Sequence, residues 1–135
     1  MSTANEARVD IYNRFNTLWA NATPVTFDNE KFNPPANEAP WARLSIRNIS
    51  AAQETLGKVG NRKYERKGLI SIQIFTKTNS GVSAADTFSE AAKNIFEGTS
   101  FNNVIANNAV IKEIGVSDGY YQHLVQIDFF YTETK

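Results

Sequence analysis

Asp118-Gly119 stands between two runs in which apolar residues return at every second position. Turn and alternation together predict a β-hairpin that closes the chain. A two-residue turn fixes the register, and the register fixes which side chains share a face. On that register Val110, Lys112, Ile114, Val116, Tyr121, His123, Val125, Ile127, Phe129 and Tyr131 form the core face, with His123 opposite Ile114. The other face receives Glu113, Ser117, Gln122, Gln126 and Asp128, with Ile111, Tyr120, Leu124 and Phe130 as apolar exceptions. These exceptions exceed what a solvated surface needs, so part of this face is expected to be covered by a loop or another chain.

The hairpin needs partners to bury its core face, and the preceding sequence supplies them. Trp41–Ser50 places Ala42, Leu44 and Ile46 on one face and Arg43, Ser45 and Arg47 on the other. Ile70, Ile72 and Ile74 alternate with Ser71, Gln73 and Phe75 in a second amphipathic strand, which Asn79-Ser80-Gly81 ends. Val25–Phe27 is a short strand candidate. Two segments carry a helical period. The first aligns Ile11, Phe15, Leu18, Trp19 and Ala22, opens on a Thr3/Glu6 capping box and stops before Pro24. The second buries Ala85, Phe88, Ala92, Ile95 and Phe96, with Ser83 and Asp86 as capping box and Gly98 at the C-terminal cap. Asn33-Pro34-Pro35 through Pro40 reads as a stiff irregular strap. The expected order is α-β-β-β-α-β-β: an α+β fold, a mostly antiparallel, mixed sheet packed with two helices.

The chain is 135 residues long, and 1–135 reads as a single domain large enough for its own core. A flexible basic insert at 51–67 interrupts the strand pattern and has no periodicity of its own. It lacks Cys, His, Asp and Ser, so it offers little to hydrolytic chemistry. Residues 41–67 hold seven basic and two acidic side chains, net +5, in a chain of zero formal charge; the remainder is therefore −5. Such asymmetry favours a complementary partner or a second copy. A loop this long inside a compact domain is usually functional or disordered.

Little else invites a chemical reading. There are no cysteines and one histidine, which excludes thiolate sites and makes a zinc site improbable. No catalytic, cofactor-binding or metal-binding residue is therefore assigned. His123 reads as a structural strand histidine, Asp118 as the residue its turn demands, and Asp86 and Glu6 as helix caps. Gly57-Lys58-Val59-Gly60 lacks the spacing and following helix of a phosphate loop. Tyr120 and Tyr121 are adjacent on a strand, so their rings point to opposite faces and form no stacking platform. No apolar run reaches the ~20 residues that cross a bilayer, and the first residues lack a signal-peptide pattern, so no membrane partner is expected. The basic insert admits two functional readings, an arm that orders against a neighbouring subunit or a phosphate-contacting arm for nucleic acid.

A family resemblance favours the first. The chain resembles small bacteriophage tail proteins of the tail-terminator kind through landmarks that fall in order. These are Tyr12-Asn13-Arg14-Phe15, Pro34-Pro35, Pro40 through Ile46, Leu56-Gly57, Arg66 through Ile70, Gln73-Ile74-Phe75 and Gly115 through Gln122. The resemblance implies a virion protein, made in the host cytoplasm, that forms a homohexameric ring on the upper end of the tail tube of a long-tailed, non-contractile phage. Such a ring ends tube polymerisation and meets head-completion or neck proteins, while genomic DNA passes through without specific binding. No catalysis and no cofactor are implied. Another tail-completion or head–tail joining role is the near alternative, and nucleic-acid binding through 58–67 the more distant one. For ring or tube contact the expected basic patch is Arg43, Arg47, Lys58, Arg62, Lys63, Tyr64, Arg66 and Lys67. The expected acidic counter-surface is Glu90, Glu97, Glu113 and Asp128.

Overall fold

The computed structural model describes residues 3–20, 22–27, 39–79, 81–117 and 119–135. The strap expected over 33–38 and the residues Asp118 and Ser80 lie outside them. The elements run α1 (Ala4–Trp19), β1 (Val25–Phe27), β2 (Trp41–Gln53), β3 (Lys63–Lys77), α2 (Ser83–Phe96), β4 (Thr99–Phe101), β5 (Val104–Ser117) and β6 (Tyr120–Thr134). This is the expected α+β order with one short strand, β4, added. The sheet order is β1-β2-β3-β6-β5-β4, with β1 parallel to β2 and every other pair antiparallel.

Both helices contribute to one core on one face of the sheet. Ala7, Ile11, Phe15 and Trp19 of α1 and Ala92, Ile95 and Phe96 of α2 meet Leu44, Ile46, Ile70, Ile72, Ile74, Val125, Ile127 and Phe129. Each leucine, isoleucine, valine or phenylalanine among them contributes about 1.5–3 kcal/mol by leaving water. Phe15 stacks between Trp19 at 5.0 Å and Phe96 at 6.3 Å, which ties the helices together. Arg14 adds a polar tie by donating from Nε to the Ile95 carbonyl at 2.7 Å, one of the last of α2.

The α1 stripe holds at Ile11, Phe15 and Trp19, but Leu18 is exposed and Ala22 lies beyond the helix; Ala7 takes the vacant place on the buried side. Thr3 caps α1 by accepting the Glu6 amide at 3.2 Å. No box caps α2. Its N-cap is Val82 without a side-chain hydrogen bond, and Asp86 instead faces His123. Gly98 does follow the helix end, with φ +67°.

The hairpin needs the largest correction. Ser117 pairs with Tyr120 and Gly119 has φ +81°, so the turn falls where expected. β6 buries His123, Val125, Ile127, Phe129 and Tyr131 as read. On β5, however, bulges fall between Ala106 and Ala109 and between Glu113 and Gly115. Each extra residue shifts the alternation by one position. His123 therefore pairs with Glu113 rather than Ile114, and Ile111 with Val125 on the core side. Val110, Ile114 and Val116 are exposed, together with Lys112.

Candidate interaction surface

The charged insert is built largely of strand. β2 continues to Gln53 and β3 begins at Lys63, because Tyr64 and Glu65 pair with Gln53 and Ala52 on β2, and Lys63–Glu65 pair with Thr134, Glu133 and Thr132 on β6. Only 54–62 forms the connection. From Arg47 to Gln53, β2 is exposed, so the strands here project past the helices as an arm. The tip is held by main-chain bonds: Glu54 N to Lys63 O at 2.7 Å, Asn61 N to Lys58 O at 3.0 Å, and reciprocal bonds between Arg62 and Lys135 at 3.2 and 2.8 Å. The Thr55 hydroxyl accepts the Lys63 amide at 2.9 Å. This framework presents Leu56 and Val59 to solvent at 95% and 83% exposure, which charge counting alone did not single out.

The expected basic residues do not form one patch. Register puts Arg43, Arg47, Lys63 and Lys67 on the sheet face away from the helices, and Tyr64 and Arg66 on the helix side. Lys58 belongs to the tip. Arg62 and Arg66 both lie over the Tyr64 ring, at 5.9 and 5.6 Å, an aromatic spacer between like charges. Arg66 is further held by Glu133 at 2.7 Å, and Lys67 by Glu65 at 3.3 Å. Glu54 is raised above the ordinary carboxylate range by a hydrogen bond with Glu65, which the same bond lowers.

The acidic residues are dispersed as well, and two serve the β5 bulge. Asp128 accepts the Asn108 amide and Glu97 the Ala109 amide, each at 3.0 Å. These bonds satisfy donors that the bulge removes from the ladder. Glu90 pairs with Lys93 at 3.1 Å. Glu113 is exposed, and its side chain has no hydrogen bond or ion pair with a described residue.

The face away from the helices carries an aromatic group. Trp41 stacks on Phe75 with ring centroids 3.9 Å apart, and Tyr120 meets both edge-on near 6 Å. Arg43 lies over both stacked rings, at 5.4 and 5.9 Å. Tyr121 points the other way, toward His123, as strand geometry requires. His123 is buried, with Nδ1 3.0 Å from Ser89 Oγ and 3.9 Å from Asp86, and Nε2 3.3 Å from the Tyr121 hydroxyl. Ser89 is itself buried, so this group joins α2 to β6 and offers no open nucleophile. Among the described residues no cluster of three or more acidic or histidine side chains could hold a metal, and no helix is long and apolar enough to cross a membrane.

Where the arm leaves the body, a groove of about 490 Å³ opens between Ala4, Asn48, Ile49, Ser50, Ala51, Arg66, Tyr131 and Glu133. Tyr131 is 1% exposed and its hydroxyl has no hydrogen-bond partner among the described residues. Burial pushes this hydroxyl above its ordinary value, against the guanidinium charges of Arg66 and Arg8.

No curated protein sequence matches the chain. One solved structure aligns over 97% of this chain and 96% of its own, with a TM-score of 0.71 and 16% identity, which speaks for a shared fold. A family model described as phage tail terminator protein matches residues 5–122, from the first turn of α1 into β6. The chain belongs to the phage tail terminator protein family.

Proposed function

We propose that this chain is a structural virion protein that caps the proximal end of the tail tube as a homohexameric ring. It ends tube polymerisation there and presents a surface to head-completion or neck proteins, with genomic DNA passing through. The family match over residues 5–122 carries this reading. The shape of the surface supports it physically. A ring needs two different patches that meet head to tail. The arm, with Leu56 and Val59 at a basic tip, and the exposed aliphatic edge of β5 lie on different parts of the subunit.

Native mass and negative-stain images of the protein mixed with tube subunits test it. The expected result is tubes of uniform length closed at one end by a ring of about six copies. Tubes that lengthen without limit in its presence, with no ring at either end, refute the reading. Charge reversal at Arg62 together with Arg66 is expected to weaken ring formation. Unchanged rings in that variant remove the basic tip from the contact.

A further inference from the structure

We propose that the sheet face turned away from the helices is a contact surface for the phosphates of duplex nucleic acid, an inference that rests on the capping reading above. Charge in this chain of zero formal net charge is sorted by the sheet. Register places Arg43 and Arg47 of β2, Lys77 of β3 and Lys112 of β5 on that face, and all four are exposed. Among the described residues one acidic side chain, Asp128, shares this part of the face, which leaves it net +3; Asp128 is moreover engaged by the Asn108 amide. Farther out, on the arm, Lys63 and Lys67 stand with Glu54 and Glu65, so the arm adds no excess charge. Arg43, Arg47 and Lys112 have no ion pair with a described residue. Arg43 is held in place by the Trp41 and Phe75 rings beneath it, at 5.4 and 5.9 Å, which position the guanidinium without neutralising it.

The spacing of these cations suits a duplex. Arg43 and Arg47 are four residues apart on one strand, about 13 Å at strand rise. Lys112 lies in the row Arg43–Gln73–Leu124–Lys112, three strands across, about 14 Å away. Positive charge is thus spread in two directions over steps close to the ~12 Å width of a major groove, so phosphates on both of its sides are within reach. Between the cations Ser45, Ser71, Gln73 and Gln126 are partly exposed on the same face, and hydroxyl and amide side chains donate well to phosphate oxygens. A second copy of the chain offers no matching acidic patch. Glu90 pairs with Lys93, Glu97 accepts the Ala109 amide, and Glu113 shares the helix side with His123. Contact through phosphates alone reads no bases, so it holds DNA of any sequence and weakens as salt rises.

Fluorescence anisotropy of a labelled, mixed-sequence DNA duplex titrated with the full chain tests the assignment. With Arg43, Arg47 and Lys112 on phosphates, affinity is expected to fall at least about 40-fold between roughly 50 and 200 mM salt. Arg43→Gln with Arg47→Gln leaves one of these contacts, weakens low-salt binding and reduces that fall to about threefold. Arg43→Lys with Arg47→Lys keeps the charges and is expected to restore binding, which separates lost contact from a disturbed fold. Lys58→Gln with Arg62→Gln, at the arm tip, is expected to bind as wild type does. No binding at low salt, affinity indifferent to salt, or loss in the tip variant with the glutamine face variant unchanged each overturns the proposal. So does a glutamine face variant that keeps its duplex affinity and loses self-association, which makes the face a contact between copies. Rings imaged on tube ends keep the two readings apart. Wild-type rings without duplex binding remove this proposal alone, and duplex binding without rings removes the capping reading alone.

Discussion

Gly68→Ala is the sharpest probe of how the arm joins the body. Gly68 lies on β3 opposite Phe129, and a Cβ built there would come within 2.6 Å of the Arg47 carbonyl oxygen and 2.6–2.7 Å of the Phe129 ring. The glycine is thus kept by crowding, and its φ is not in the left-handed range. Two effects oppose each other. Alanine restricts the unfolded chain and contributes about 0.4–1 kcal/mol to stability where it fits. Overpacking costs about 1–3 kcal/mol. The clash wins because one contact is main-chain oxygen, which no rotamer can move, and the other is a ring only 2% exposed. The net loss is about 0.5–2 kcal/mol. With an unfolding entropy of about 2.1 cal/mol/K per residue over 135 residues, that lowers the melting temperature by roughly 2–7 °C. Scanning calorimetry on the variant and on Gly68→Ala in a Phe129→Leu background measures it, and the cost is expected to shrink in the second background. A Gly68→Ala protein that melts at or above the wild-type temperature refutes the steric argument.

Other expectations follow from buried groups. Because the Tyr131 hydroxyl is raised above 10.0 in the folded chain, the unfolded chain releases this proton first as pH climbs. The stability it contributes is intact below pH 10 and is lost as pH rises through the raised value. Melting curves between pH 9 and 11.5 are expected to fall less steeply for Tyr131→Phe than for wild type, and equal slopes would contradict this. At the exposed β5 bulge, Asp128→Ala or Glu97→Ala removes the side-chain acceptor of one amide, which water can replace, and is expected to cost about 0.5–1.5 kcal/mol. Faster hydrogen exchange at Asn108 or Ala109, respectively, locates the loss, and unchanged protection there excludes it.

The parts of this fold that were legible in the sequence are those with unbroken register. β3 and β6 pair without a shift from Lys63↔Thr134 to Lys77↔Tyr120, so their alternation survives in Ile70, Ile72, Ile74, Val125 and Ile127. β5 was misread because two bulges reverse its parity, and only Asn107-Asn108 and Gly115, with φ +93°, mark where. The strand content of the insert was hidden for another reason. Lys63–Lys67 is extended because β6 pairs with it, a long-range bond with no local sign among those charged residues. The candidate basic residues lie close together in sequence, yet strand parity divides those on β2 and β3 between two faces. Tyr131 looked like ordinary core, since whether a hydroxyl finds a partner depends on neighbours distant in sequence.

The sheet also gives the molecule two separate optical windows. Its two tryptophans lie on opposite sides. Trp19 is enclosed with Phe15 and bonded through Nε1 to Thr23 at 3.1 Å, whereas Trp41 stacks on Phe75 across the face that neither described helix covers. Trp41 is itself 5% exposed, with Tyr120 and Arg43 against its ring, so a partner laid over that face changes its surroundings by moving those two side chains and leaves Trp19 as it was. Loss of the helical layer does the reverse. Emission from single-tryptophan variants therefore separates docking from unfolding, without any label attached to the chain.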